Sequence, residues 1–185
     1  DELPRFFQAL RDEPNETIRD YFLIALLTGA RRSNTLAMRW DEISFERGEW
    51  RIPVTKNGTP QVVTLTSESL AILEARKNNG SEWVFPAGGR TGHLMEPKMG
   101  WDRILQRAGI QDLRIHDLRR TLGSWQARTG ASLAIIGKSL NHKSIQSTAV
   151  YARLDLDPVR ESVERATSAM LTAAGLKMPP EIPPA

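Results

Sequence analysis

His116-Asp117-Leu118-Arg119-Arg120 is the stretch on which the reading of this chain turns, together with Tyr151 farther along. Leu118, Leu122 and Trp125 follow at spacings of four and three, the period of an amphipathic helix holding one apolar face against a core. On such a helix His116 and Arg119 share another face, so an imidazole and a guanidinium point the same way. Together they are able to hold a phosphate by charge-assisted hydrogen bonds, the fixed fork of Arg119 matching two of its oxygens. Alone, a His-x-x-Arg is also what a solvated helix face shows. The rest of the chain decides between the two.

At 185 residues with 40% apolar composition, the chain is long enough for one domain with a sizeable core and short for two large ones. Its net charge is only +3, yet a pI near 9.5 and 25 Lys plus Arg allow a basic face if the acids are segregated. There is no Cys, which excludes disulfides, thiolate metal sites and a thiol nucleophile. The longest apolar run, Tyr21 to Leu27, is far below a membrane span, and the N-terminus lacks a charged-then-apolar signal pattern. The expectation is a soluble protein from inside a cell.

Before the central stretch, Leu3, Phe6, Phe7 and Leu10 give a short opening helix with Pro4 in its first turn. Thr17 to Leu27 reads as a largely buried helix ending at Thr28-Gly29, where the glycine allows a left-handed cap and a sharp turn presenting Ala30-Arg31-Arg32. Ser33 is placed to cap a further short helix through Leu36 to Met38. From Ile43 to Leu65 the period becomes two: Ile43 to Phe45, Glu49 to Pro53 and Gln61 to Leu65 read as three antiparallel strands. Their turns are Arg47-Gly48 and Asn57-Gly58, with Lys56 at the mouth of the second hairpin. Helical periods return at Ser67 to Lys77 and Pro97 to Ala108. The Gly-rich loop between them, Ala87 to His93, lacks the Gly-Lys-Ser/Thr of a nucleotide-binding loop. His116 to Arg128, Ser132 to Leu140, Gln146 to Ala152 and Pro158 to Ala174 complete the helices, the last with an apolar stripe from Val159 to Ala173. Residues 176–185, rich in Pro, are expected to form a flexible tail. The fold class is α+β, mainly helical with a small three-stranded antiparallel sheet.

Four separated pieces line up: Thr28-Gly29-Ala30-Arg31, the hairpin Lys56, His116-x-x-Arg119, and Leu140-Asn141-His142 followed nine residues later by Tyr151. In order and spacing they resemble the catalytic domain of tyrosine site-specific recombinases, the phage integrase family, and the phrases HDLRRT, LNHKS and TAVYARLD are most like prophage and genomic-island integrases. The resemblance covers residues 1–175. It implies a DNA breaking-rejoining fold in which Arg31 and Arg119 bind the scissile phosphate, Lys56 protonates the leaving oxygen, His116 and His142 flank the phosphate, and Tyr151 is the nucleophile. Asn34 stands where many members have Glu, so it is able to orient a neighbour but carries no charge. Asn141 stands where Gly usually precedes the second histidine, and Asn tolerates left-handed backbone better than most residues. Asp117 is placed either to orient a cationic group or to cap its helix. Arg32 and Arg120 are expected at the phosphate backbone or the surface.

The chemistry agrees with those assignments. A free tyrosine, with a pKa of about 10, is a poor nucleophile unless positive charge and a proton acceptor surround it. Arg31, Lys56 and Arg119 supply the charge, and His116 or His142 the acceptor. No metal and no cofactor are required, and a phosphotyrosine retains the energy of the broken diester. The expected partners are double-stranded DNA, a tetramer of recombinase on that DNA and a directionality factor, with no membrane. The free chain is expected to be a monomer, with its last helix packed in cis. The resemblance also implies a DNA-binding domain ahead of this region, so a fragment is inferred, working in a bacterial or phage-infected cytoplasm at the nucleoid. A type IB topoisomerase or telomere resolvase shares the chemistry. Two other classes compete: a metal-dependent phosphodiesterase using His116, Asp117 and His142, disfavoured by the lack of a carboxylate cluster, and a DNA-binding protein without catalysis.

Overall fold

The helix that carries the first candidate arginine is built from the inside. In the computed structural model, which describes residues 2–54, 58–77, 80–144, 146–153 and 157–174 (153 and 157–162 by backbone alone), α2 spans Glu16–Thr28 and buries Ile18, Tyr21, Phe22, Ile24, Ala25 and Leu26. Asn15 caps its start by accepting from the backbone N–H of Ile18 at 3.1 Å. Its end is Gly29 in the left-handed conformation, φ 59°, as the sequence predicts. α1 (Glu2–Arg11) and α5 (Lys98–Ala108) pack beside it, with Phe6, Phe22 and Trp101 in contact at ring separations of 5.7 and 4.9 Å. α4 (Ser67–Arg76) is tied to α2 by a nearly buried ion pair, Arg76 to Asp20 at 2.9 Å.

The sheet has the order β1 (Ile43–Ser44), β2 (Glu49–Ile52), β3 (Gln61–Thr64), all antiparallel, with Trp50 opposite both Ile43 and Val63. Trp50, Ile52 and Val63 turn inward to the core while Arg51 and Val62 face out. Gly48, at φ 60°, makes the first turn. Lys56, in the second hairpin, lies outside the described residues, as does the segment 176–185.

α6 spans Asp117–Arg128, so His116 is the residue before the helix and not its first turn. Leu118 is buried as expected, but Trp125 is 43% exposed and carries the guanidinium of Arg128 over its ring at 4.9 Å. An indole with an amphipathic rim satisfies the apolar period without entering the core. α3 (Arg32–Leu36) begins two residues earlier than Ser33 capping allows: Arg31 occupies the cap, without a side-chain capping bond, and Ser33 lies inside. α7 (Leu133–Ser139) and α8 (Gln146–Ala149) follow, and Tyr151 sits in a 3-10 turn, Val150–Arg153, not in a continuous α-helix. α9 (Asp157–Ala173) leaves Val163 and Met170 exposed, so the expected packing of its stripe in cis is not found among its described side chains. No helix among the described residues is long and apolar enough to cross a membrane.

Candidate active site

Two turns in left-handed conformation bring the candidate residues together. At the first, Gly29 is required twice over. Its φ is positive, and a Cβ there would lie 2.8 Å from Leu140 and 2.9 Å from Leu122. The chain therefore turns close against Leu122 and Leu140, with Arg31 two residues beyond the turn. At the second, α7 ends in a Schellman motif, with His142 N–H donating to Gly137 O at 2.9 Å and Asn141 N–H to Lys138 O at 3.1 Å. Asn141 takes φ 50°, so the turn survives with Asn in place of Gly. Its side chain adds a bond, donating from Nδ2 to Oε1 of Gln61 at 3.2 Å, while Gln61 Nε2 donates to Ser139 O at 3.3 Å. β3 is thereby clasped to the turn.

The two arginines read the carbonyls these turns present. Arg119 is 6% exposed, donates from Nη1 to Gly29 O at 2.5 Å and bonds Leu140 O through Nη2. Arg31 donates from Nη2 to the next carbonyl, Asn141 O, at 3.0 Å. Its Nη1 is buried and has no hydrogen-bond partner among the described residues. Burial, then the charge of Arg31, pulls the Arg119 pKa down to about 10, so it remains protonated at neutral pH. A guanidinium has five N–H donors, and only some of those on Arg31 and Arg119 are committed to backbone. Two adjacent, partly buried cations with unspent donors make a site for an anion.

Tyr151 is 6% exposed and lies against α6 where Gly123 gives it room, since a Cβ at 123 would meet its Cζ at 2.6 Å. Its ring plane is within 5° of that of His142, with centroids 6.4 Å apart. Burial lifts the phenol above the ordinary tyrosine value, against the pull of Arg119 and Arg120. The hydroxyl is thus neutral at pH 7, and nucleophilic attack from it needs a proton acceptor. His142 is held below the usual histidine range by burial and then by the charges of Arg119, Arg31 and His116. His116 is held low by burial, then by Arg119 and Arg120, with Asp117 opposing. Both imidazoles are therefore neutral at pH 7 and able to accept or donate a proton.

The structure thus brings Arg31, His116, His142 and Tyr151 within electrostatic reach of Arg119. Asn34, in α3, has Nδ2 buried and without a hydrogen bond among the described residues, so its side-chain nitrogen does not hold a neighbour. Asp117 binds Arg114 through the backbone N–H at 2.9 Å and Nε at 3.1 Å, and Arg120 at 3.1 Å, so it orients surface arginines and not Arg119. Arg32 pairs with Glu96 at 2.9 Å. Gln61, Gly123 and Thr148 enter the site without having been singled out in the sequence. For Gly123 a signal exists, an isolated glycine in a helical period. Gln61 and Thr148 look like ordinary strand and helix residues. Among the described residues, no group of three His, Asp or Glu side chains is arranged to hold a metal ion.

With this geometry in place, comparisons with known proteins are informative. A sequence model described as the phage integrase family matches residues 1–157. The prophage integrase IntF of Escherichia coli (strain K12) is 30% identical over 183 residues, covering 95% of this chain and 39% of that protein. The integrase of Salmonella phage P22 is 29% identical over 165 residues, covering 82% of this chain and 43% of that protein. This chain thus spans less than half the length of either. Among solved structures, the XerH site-specific recombinase in a pre-cleavage complex with its difH substrate superposes with a TM-score of 0.71 at 17% identity, covering 87% of this chain and 51% of that one. The catalytic domain of bacteriophage HP1 integrase gives 0.67 at 19%, covering 88% and 90%. These superpositions establish the fold.

Proposed function

The chain belongs to the phage integrase family, and from that premise we propose that it recombines DNA at a specific site, cutting and rejoining strands through a 3′-phosphotyrosyl intermediate on Tyr151. The observation that carries the reading is the buried Nη1 of Arg31, a charged donor without a hydrogen-bond partner among the described residues, near the buried Arg119. Leaving a charged donor unpaired costs more than the about 1–3 kcal/mol of a neutral one, a cost that a phosphate oxygen removes.

In the proposed step, Oη of Tyr151 attacks phosphorus as its proton passes to a neighbouring imidazole. A P–OTyr bond forms, the bond to the 5′ oxygen breaks, and that oxygen is protonated as it leaves. Arg31 and Arg119 donate to the non-bridging oxygens and stabilise the charge that builds there. Lys56 is the proposed acid for the leaving oxygen, an assignment that rests on the family resemblance. Rejoining is the reverse, with a 5′ hydroxyl as nucleophile, so no energy source is consumed. Double-stranded DNA is the partner, and the exposed stripe of α9 supports assembly of four copies on it, each α9 covered by a neighbour.

The test is covalent capture. Wild-type protein is incubated in excess EDTA with nicked duplexes whose core is a randomised pool, and denaturing gels are read for protein joined to DNA. Wild type should give a complex that Tyr151→Phe lacks. Capture by the Phe variant, or cleavage that stops in EDTA, would overturn the proposal.

A further inference from the structure

His142 is held from behind by a residue to which neither the family reading nor the chemistry above gives a role. Its Nδ1 lies 2.9 Å from Oγ1 of Thr148 in α8, and Thr148 is 2% exposed. Room for that hydroxyl comes from Gly137 of α7, where a Cβ would stand 3.0 Å from Oγ1. The contact is therefore built from two sides: a glycine that clears the space and a threonine that fills it. Across the ring from Nδ1, Nε2 points away from Thr148.

The direction of this hydrogen bond decides what His142 can do. A hydroxyl has one proton to donate and two lone pairs. Among the described residues the Thr148 hydroxyl meets no other hydrogen-bond partner. A buried proton without an acceptor costs more than an idle lone pair, because the oxygen keeps its second acceptor site in either case. The hydroxyl therefore donates to Nδ1, and in the neutral imidazole the proton then resides on Nε2.

We infer that Thr148 is a positioning residue that fixes His142 as its Nε2–H tautomer, so that His142 donates to the scissile phosphate and does not accept the proton of Tyr151. The phosphate half of this inference rests on the DNA-cleavage reading, and the tautomer half stands on the free protein. It leaves His116, also neutral at pH 7, as the acceptor for the Tyr151 proton.

Nitrogen-15 spectra of the histidine side chains in the free protein read the tautomer. Wild type should carry the His142 proton on Nε2, Thr148→Val should shift His142 toward a mixture of tautomers, and Thr148→Ser should match wild type. In single-turnover cleavage of a duplex selected from the randomised nicked pool, Thr148→Val should be slower by about tenfold or more, the scale of one lost buried hydrogen bond, and Thr148→Ser should stay close to wild type. A wild-type His142 with its proton on Nδ1 overturns the inference, even if valine disturbs the fold. So does a valine variant that cleaves at the wild-type rate, or a serine variant as slow as valine. Wild-type protein that captures no DNA counts against the cleavage reading, and the spectra still decide Thr148.

Discussion

Replacing Gly123 by alanine should disarm the nucleophile while leaving Tyr151 itself unchanged in sequence. The added Cβ would lie 2.6 Å from Cζ, 2.8 Å from Oη and 2.9 Å from Cε1 of Tyr151. Carbon contacts are comfortable from about 3.5 Å, so the ring must retreat by roughly 1 Å. Two stability terms oppose one another. Alanine is favoured over glycine in a helix by about 0.5–1 kcal/mol, while forcing a methyl into a packed site costs about 1–3 kcal/mol. The net loss is about 1 kcal/mol, a fall of about 2–4 °C in Tm for a chain of this size. A 1 Å displacement of a reacting atom, by contrast, slows chemistry by about 100-fold. Single-turnover formation of the covalent complex, run beside a thermal melt, should therefore show a large loss of rate against a small loss of stability. A Gly123→Ala protein that cleaves at the wild-type rate would refute the placement of Tyr151 against α6.

Arg119→Lys should cleave poorly, since a point charge does not reproduce the fork, with a loss on the order of 2–4 kcal/mol in the transition state. It should also melt earlier than Arg31→Lys, because the more buried Arg119 holds the carbonyls of Gly29 and Leu140, and equal melting points for the two variants would contradict this. Lys56→Ala should be severely slowed on ordinary DNA and recover on a substrate whose 5′ bridging oxygen is replaced by sulfur, a leaving group that needs no proton. If it stays slow on sulfur, Lys56 is not the acid. Because His116 and His142 sit below the usual range when folded, the unfolded chain binds their protons more tightly. The stability this gives is complete above the unfolded value of about 6.5 and is lost as pH falls from there toward the folded values. Melts between about pH 7 and 5 should accordingly fall less steeply in a His116→Gln/His142→Gln variant, and an unchanged slope would argue against buried neutral histidines.

Much of this arrangement is legible in the residue pattern because it depends on local rules. Gly29 after an apolar helix announces a left-handed cap, and the shift of period at Ile43 announces the sheet; both are found where the pattern puts them. The order of Arg31, His116, Arg119, His142 and Tyr151 was readable for a different reason, the family resemblance, and the structure brings those side chains together. What escaped depends on contacts between distant segments. Gln61 bonds Ser139 and Asn141 about 80 positions away, and nothing in a strand sequence marks that glutamine as special. Trp125 and the stripe of α9 obey a helical period yet remain exposed, since a period specifies a face and not what covers it. Ser33 has the chemistry of a cap, but Arg31 reaches for Asn141 and the helix starts two residues sooner.

The central claim is that phosphorus becomes bonded to Tyr151. It is tested most directly by trapping the protein on the randomised nicked pool, digesting the complex with protease and nuclease, and locating the nucleotide remnant by mass spectrometry. A remnant joined through its 3′ phosphate to the peptide containing Tyr151, and to no other peptide, is expected. A remnant on Tyr21 or on a histidine, attachment through a 5′ phosphate, or cut DNA without any attached protein would contradict it.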